Sequence, residues 1–124
     1  MAPSILTVTA AAALTVVAMA PSVAVAKGKP CAHNLASWYG SHHAGRLTSN
    51  GERFNPRAMT AASRRWPLGS RVLVYANGRA VVVRINDHGP YHHRCRVLDL
   101  SYAAARHLGV AHAGVVPIKT WRVD

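Results

Sequence analysis

The feature that most limits what this chain can fold into is the place where its charge begins. From Met1 to Ala26 there is no Lys, Arg, Asp or Glu, and residues 10–20 are almost wholly Ala, Val and Leu. Such a stretch reads as the apolar core of a secretory signal, and Ala24-Val25-Ala26 supplies the small-x-small pattern at which a signal is cut. The cut is expected before Lys27. Thr7, Thr9, Thr15, Pro3 and Pro21 interrupt the run and make it a poor membrane-spanning helix, with an uncleaved anchor as the alternative. Cys31 follows Lys-Gly-Lys-Pro and lacks the lead that a lipid-modified Cys needs, so a soluble exported product without a stable membrane anchor is expected. The sequence thus divides into a signal over residues 1–26, a basic leader over 27–34 and one folded domain over 35–124.

All 15 Lys and Arg residues, and the four acids Glu52, Asp87, Asp99 and Asp124, lie after Ala26, so the net charge of +11 falls on the exported part. That density favours a polyanionic partner. An exported protein, in the periplasm or at the cell wall, meets anionic wall polymers and peptide carboxylates before nucleic acid, so no nucleic-acid partner is expected. Cys31 and Cys95 are the only cysteines, and an even pair in an exported chain favours a disulfide. The competing use is a metal site, which eight His residues suggest. The pairs His42-His43 and His92-His93 diverge on a strand, and no Cys-x-x-Cys or His-x-x-x-His spacing joins them, so neither metal nor cofactor is expected.

Along the domain, residues 35–39 offer a short apolar-aromatic strand, and 40–56, rich in Gly, Ser, Asn and His, read as a long surface loop. Residues 59–62 fit strand or turn. Residues 71–75 and 79–85 flank Asn77-Gly78, the strongest hairpin signal in the chain. Asn86-Asp-His-Gly-Pro90 breaks the second of these strands and leaves Asp87 at its end. Residues 97–100 resume an apolar run, Ser101 is placed to cap a helix of about two turns, and Gly109 to end it. Residues 115–123 alternate as a last strand. Five or six short strands with one short helix near the C-terminus make a mainly β, single-domain and monomeric protein, most economically a small closed barrel.

The segments Ala36-Ser-Trp-Tyr-Gly40, Thr48-Ser-Asn-Gly-Glu52-Arg-Phe54, Leu68-Gly-Ser-Arg-Val72, Val83-Arg-Ile-Asn-Asp-His-Gly-Pro90 and Leu98-Asp-Leu-Ser101 occur in this order, and together they closely resemble the rare lipoprotein A family. The resemblance runs from about Ala36 to Val123. It implies a six-stranded double-psi β-barrel, the fold of expansins, and an endolytic lytic transglycosylase acting on peptidoglycan glycan strands. The alternative in the same fold is a non-catalytic, expansin-like module that binds or loosens the wall. The chain departs from the family pattern at Ser63, where Ala-Ala-His is usual, and at Asn55, where Phe-Asp is frequent. It also ends just after its last strand, so the glycan-binding repeat domain of many members is not expected.

Cleavage of a glycosidic bond needs a proton donor at the leaving oxygen. In a lytic transglycosylase the 6-hydroxyl of muramic acid attacks its own anomeric carbon, so one carboxyl acting as acid and then base is sufficient. With so few acids the candidates are Asp87, at a strand end before Gly-Pro, and Asp99, between apolar Val97-Leu98 and the helix start, where burial would raise its pKa. The resemblance points to the same two. Glu52 is placed to line the cleft or to hold the loop. Trp38 and Tyr39 offer flat faces to sugar rings, and Arg46, Arg84 and Arg94 offer bidentate partners for substrate carboxylates.

Overall fold

A computed structural model describes residues 3–5, 7, 9–19 and 30–124. The expected cleavage point at Ala26–Lys27 lies outside the described residues. No described helix is long and apolar enough to cross a membrane.

The domain is built from six strands, β1 (Asn34–Trp38), β2 (Thr60–Ser63), β3 (Arg71–Ala76), β4 (Arg79–Asp87), β5 (Arg96–Leu100) and β6 (Val116–Arg122), with one helix, α1 (Tyr102–His107). They close into a barrel in the order β1-β5-β2-β4-β3-β6. Two pairs are parallel, β1 with β5 and β2 with β4, and the remaining neighbours are antiparallel. In the barrel β1 and β2 are separated by β5, and β4 and β5 by β2, so the 39–59 and 88–95 connections each carry the chain across a strand.

The hairpin expected at Asn77-Gly78 joins β3 to β4. Asn77 has φ of 54° and Gly78 of 71°, the doubly left-handed turn whose twist matches that of two antiparallel strands. Period-2 alternation then sends Val72, Val74 and Ala76 of β3, and Val81, Val83 and Ile85 of β4, inward. Leu98 and Leu100 of β5, Ile118 of β6 and Ala104, Ala105 and Leu108 at the helix complete the core.

Ser101 caps the helix as expected, its hydroxyl accepting from the Ala104 amide at 3.1 Å. Gly109, at φ of 71°, ends it: its amide bonds to the Arg106 carbonyl and the Val110 amide to that of Ala105. This is the paired-bond C-terminus for which a left-handed residue is required. The helix has six residues and only two of them, Ala104 and Ala105, are buried, so it plugs the barrel without adding a layer.

Cys31 and Cys95 form a disulfide with a Cα separation of 5.6 Å. It ties the segment before β1 to the end of the 88–95 connection. Closing a loop of 64 residues contributes about 4 kcal/mol in the chain-entropy picture.

Candidate active site

Strand register creates the site. Ser37 of β1 lies opposite Asp99 of β5, Asp99 lies opposite Ala62 of β2, and Ala62 lies opposite Asp87 of β4. Directly paired residues share a face, so Ser37, Asp99, Ala62 and Asp87 form one row across four strands. At strand spacing, the two aspartate backbones stand about 9–10 Å apart with only a methyl group between them. Sequence reasoning selected both aspartates, and the fold brings them together.

Their surroundings differ. Asp87 Oδ1 accepts from the Ser49 hydroxyl at 2.5 Å, the Ser49 amide at 3.0 Å and the His88 amide at 2.9 Å, and Oδ2 accepts from the Tyr39 phenol at 3.2 Å. The 40–56 loop thus reaches back and grips this carboxylate with its tip. Asp99 is held by strands alone. Its Oδ1 accepts from the Ser37 hydroxyl at 2.6 Å, and the Ser37 oxygen accepts in turn from Arg96 Nη2 at 2.6 Å. Because Arg96 can only donate, the Ser37 proton is committed to Asp99. Burial pushes the Asp99 carboxyl above the usual carboxylate range, against the lowering effects of the Ser37 bond and of the Arg96 and His43 charges. The helix N-terminus, a conceivable partner for Asp99, is served instead by Ser101.

Tyr39 donates to Asp87 and lies within electrostatic reach of Asp99. Burial and the negative charges of Asp87 and Asp99 push its phenol up, so it stays neutral and donates. Its ring packs edge-on against Phe54, with centroids 4.9 Å apart. On either side of it in sequence, Trp38 and Gly40 line a cleft of about 610 Å³ together with Pro56, Arg57, Tyr102 and Arg106. The Trp38 indole donates to the Ala113 carbonyl at 3.0 Å and leans on Tyr102, which fixes the plane of the ring.

The remaining sequence candidates are placed as follows. Glu52 takes Arg84 in a two-pronged ion pair, at 2.5 and 2.8 Å, and accepts from Asn50 Nδ2 at 2.7 Å. These bonds hold the Glu52 carboxyl down at about 2. Glu52 and Arg84 therefore satisfy each other and secure the loop base to β4. Arg46 is exposed on the loop, and Arg94 borders a second hollow with Arg64, Arg65 and Arg96. At the two family departures, both side chains serve backbone. Asn55 Oδ1 accepts from the Arg57 amide at 2.9 Å. Ser63 is fully buried, donates to the Val97 carbonyl and accepts from the Arg65 amide, so it turns the chain as β2 ends. Among the described residues no cluster of His, Cys, Asp or Glu is arranged to hold a metal ion.

Sequence reasoning did not single out Ser37, Ser49 or Arg96. Ser37 and Ser49 stood inside quoted motifs, Ala36-Ser-Trp and Thr48-Ser-Asn. Only register and the return of the loop reveal that each meets an aspartate.

A closed six-stranded barrel with two parallel pairs, each separated by chain crossings, is a double-psi β-barrel. Residues 32–120 match the family described as "Lytic transglycolase", and the chain belongs to that family. It is 57% identical over 89 residues to "Probable endolytic peptidoglycan transglycosylase RlpA" of Nostoc sp., covering 68% of this chain and 24% of that protein. It is 46% identical over 91 residues to "Endolytic peptidoglycan transglycosylase RlpA" of Pseudomonas aeruginosa, covering 72% and 26%. The chain thus spans about a quarter of the length of these relatives. Among solved structures, the Streptomyces papain inhibitor superposes with a TM-score of 0.57 at 26% identity, covering 73% of this chain and 90% of that one. An apo expansin of Clavibacter michiganensis also gives 0.57 at 26%, covering 74% and 50%. The rare lipoprotein A resemblance and the barrel it implies are thus established.

Proposed function

We propose that the chain is an exported endolytic transglycosylase of peptidoglycan, with residues 1–26 as its signal and 35–124 as its catalytic domain. The observation that carries this reading is the row Ser37–Asp99–Ala62–Asp87, in which two carboxyl groups face one surface in contrasting environments. The names of its relatives agree with it.

Asp99 is the group suited to deliver a proton, because burial favours its neutral form and Ser37 occupies Oδ1, leaving Oδ2 for the glycosidic oxygen. As the bond from the muramic anomeric carbon to that oxygen breaks, the muramic 6-hydroxyl attacks the same carbon. Asp99, now ionised, takes the hydroxyl proton and is regenerated. Asp87, surrounded by four donors, serves as the fixed negative charge that faces the developing oxocarbenium ion. Trp38 and Tyr102 supply the cleft wall for a sugar ring.

The test is to incubate the exported protein with isolated sacculi and look by mass spectrometry for muropeptides with 1,6-anhydro ends. Their release by wild type and its loss in Asp99→Asn is the expected result. A second reading, the expansin-like wall-binding module, draws on Asn55 and Ser63: both are engaged by backbone and offer no acid or base to the row. Binding to sacculi with no anhydro ends released would select it.

A further inference from the structure

The cleft beside the aspartate row carries positive charge that the row itself does not use. Trp38 and Tyr102 form its aromatic wall, and Arg57 and Arg106 line it with them. Both arginines are exposed, and among the described residues neither guanidinium has a hydrogen-bond, ion-pair or ring partner. The four acidic side chains are occupied elsewhere, Glu52 by Arg84, Asp124 by Arg122, Asp87 by Ser49 and Tyr39, and Asp99 by Ser37. Two cations that share a cleft repel one another, and an anion placed between them removes that repulsion.

One backbone bond brings the two arginines to the same wall. Asn55 accepts from the Arg57 amide at 2.9 Å through Oδ1 and from the Ala58 amide at 3.1 Å through its carbonyl, which curls residues 55–58 into a turn. The Ala103 amide donates to the Pro56 carbonyl at 2.9 Å, so this turn is stapled to the start of α1. Arg57 follows Pro56, and Arg106 stands three residues after Ala103, on the same helix face. The backbone under both side chains is thereby fixed, which lowers the entropy lost when they close on a ligand. Asn55 adds a second effect. An Asp at this position, frequent in the family, supports the same turn but sets a carboxylate two residues from Arg57. The neutral amide leaves the cleft positive.

We propose that Arg57 and Arg106 clamp the free carboxylate of the 3-O-lactyl group and so distinguish muramic acid from glucosamine in the cleft, an assignment that rests on the peptidoglycan reading above. Trp38 follows Ser37, which holds Asp99, so a sugar ring on the aromatic wall lies next to the acid. The lactyl group hangs from C3 of the same ring whose C1 is attacked, and its short arm keeps the carboxylate at that ring. Planar guanidinium forks match a carboxylate in a bidentate manner that lysines do not. Alternate sugars of a peptidoglycan strand differ at this group alone. A site that reads it therefore sets the register of the strand, placing muramic acid and not glucosamine at Asp99, and so decides which of the two kinds of glycosidic bond is cut.

The probe is the GlcNAc-MurNAc disaccharide, with chitobiose and the same disaccharide amidated at its lactyl carboxyl as controls. None of the three contains the MurNAc-GlcNAc bond that a transglycosylase cleaves, so the titration reads the clamp whether or not the chain is catalytic. By NMR at low salt, the acid should bind about five- to tenfold more tightly than either control, as charge-assisted bidentate pairs allow. The advantage should shrink with added salt. The Trp38 indole N–H signal should move with all three sugars, and the Nε–H signals of Arg57 and Arg106 with the acid alone. Arg57→Gln combined with Arg106→Gln, both at exposed positions, should reduce the acid to the affinity of its amide without lowering the melting temperature. Arg71→Gln combined with Lys119→Gln, an equal loss of charge on exposed positions of β3 and β6, should leave the preference intact. Equal wild-type affinities for acid and amide, a preference that survives the Arg57 and Arg106 substitutions, or one that falls as far in the Arg71 and Lys119 pair would overturn the clamp. Release of anhydro-muropeptides from sacculi by the same protein is a separate readout. Release without a preference for the acid would remove the clamp and leave the transglycosylase reading standing, whereas a preference without release would keep the clamp in a wall-binding module.

Discussion

Asp87 and Asp99 stand two strands apart in one row, yet they are held by opposite means. Asp87 ends a strand and is gripped by a loop tip, through the amide and hydroxyl of Ser49. Asp99 lies within a strand and is gripped by its neighbours in the barrel, through Ser37 and, behind it, Arg96. One carboxyl is wrapped in donors that suit a fixed charge. The other is half-buried, with a single direct side-chain donor, so a proton is readily kept there. Two groups of one chemical type acquire separate surroundings from where the chain runs, and the pair can be taken apart experimentally along that line.

The largest effect is expected at Asp99. Asp99→Asn should lower the release of anhydro-muropeptides by about 10²–10⁴-fold, the usual contribution of a positioned acid and base. Its stability should move the other way. The folded state raises the Asp99 pKa, so the stability this group contributes is present in full below the unfolded value of about 3.9 and is lost as pH rises through the folded one. The variant escapes that loss. Its melting temperature should exceed wild type at neutral pH, and the gap should close as pH falls toward 4. Identical melting curves at both pH values would remove the case for Asp99 as the buried acid.

Asp87→Asn should cost about 10²-fold in turnover with sacculus binding retained, since it removes a charge without emptying the cleft. Ser49→Ala sharpens the contrast. It deletes one bond and leaves the Ser49 amide in place, so a loss of about five- to tenfold is expected. If Ser49→Ala were as damaging as Asp87→Asn, the loop tip and not the charge would be the working part.

Much of this contrast was legible in the chain, and the illegible part has a definite cause. Asn77-Gly78, Ser101 and Gly109 each act through neighbouring residues, and the structure places turn, cap and helix end at those positions. The scarcity of acids narrowed the candidates to Asp87, Asp99 and Glu52, and position with the family resemblance put the two aspartates first. Their grips were not legible, because Ser37 meets Asp99 across 62 residues and Ser49 meets Asp87 across 38, through pairings that only barrel closure decides. The same limit applied to Arg84. As a lone basic residue it read as a substrate contact, whereas Glu52, 32 residues away, already holds it.

Ser37→Ala tests the strand-held end more gently. The Ser37 bond lowers the Asp99 pKa against the stronger effect of burial. Removing it should raise that pKa further and shift the alkaline limb of the pH–activity profile upward, with a modest change in maximal turnover. Arg96→Gln should shift the limb in the same direction, because the Arg96 charge also lowers the pKa. A purely structural role for Ser37 would reduce turnover at every pH and leave the limb where it was.

The smallest effect belongs to Glu52, and it concerns the base of the loop that grips Asp87. Arg84 and Asn50 hold the Glu52 carboxyl at about 2, below its unfolded value of about 4.3. The contribution to stability is therefore present above the unfolded value and is lost as pH falls from there toward 2. Glu52→Gln should melt slightly below wild type at neutral pH, and the two curves should converge in acid. The pair is about 40% exposed on each side, so solvent screens it and added salt should narrow the gap further. Turnover should fall less than in Ser49→Ala, because Asp87 keeps all four of its donors when Arg84 loses its partner. A loss in Glu52→Gln as large as in Asp87→Asn would mean that the loop base, and with it the whole 40–56 segment, takes part in placing the substrate as well as in holding one carboxylate.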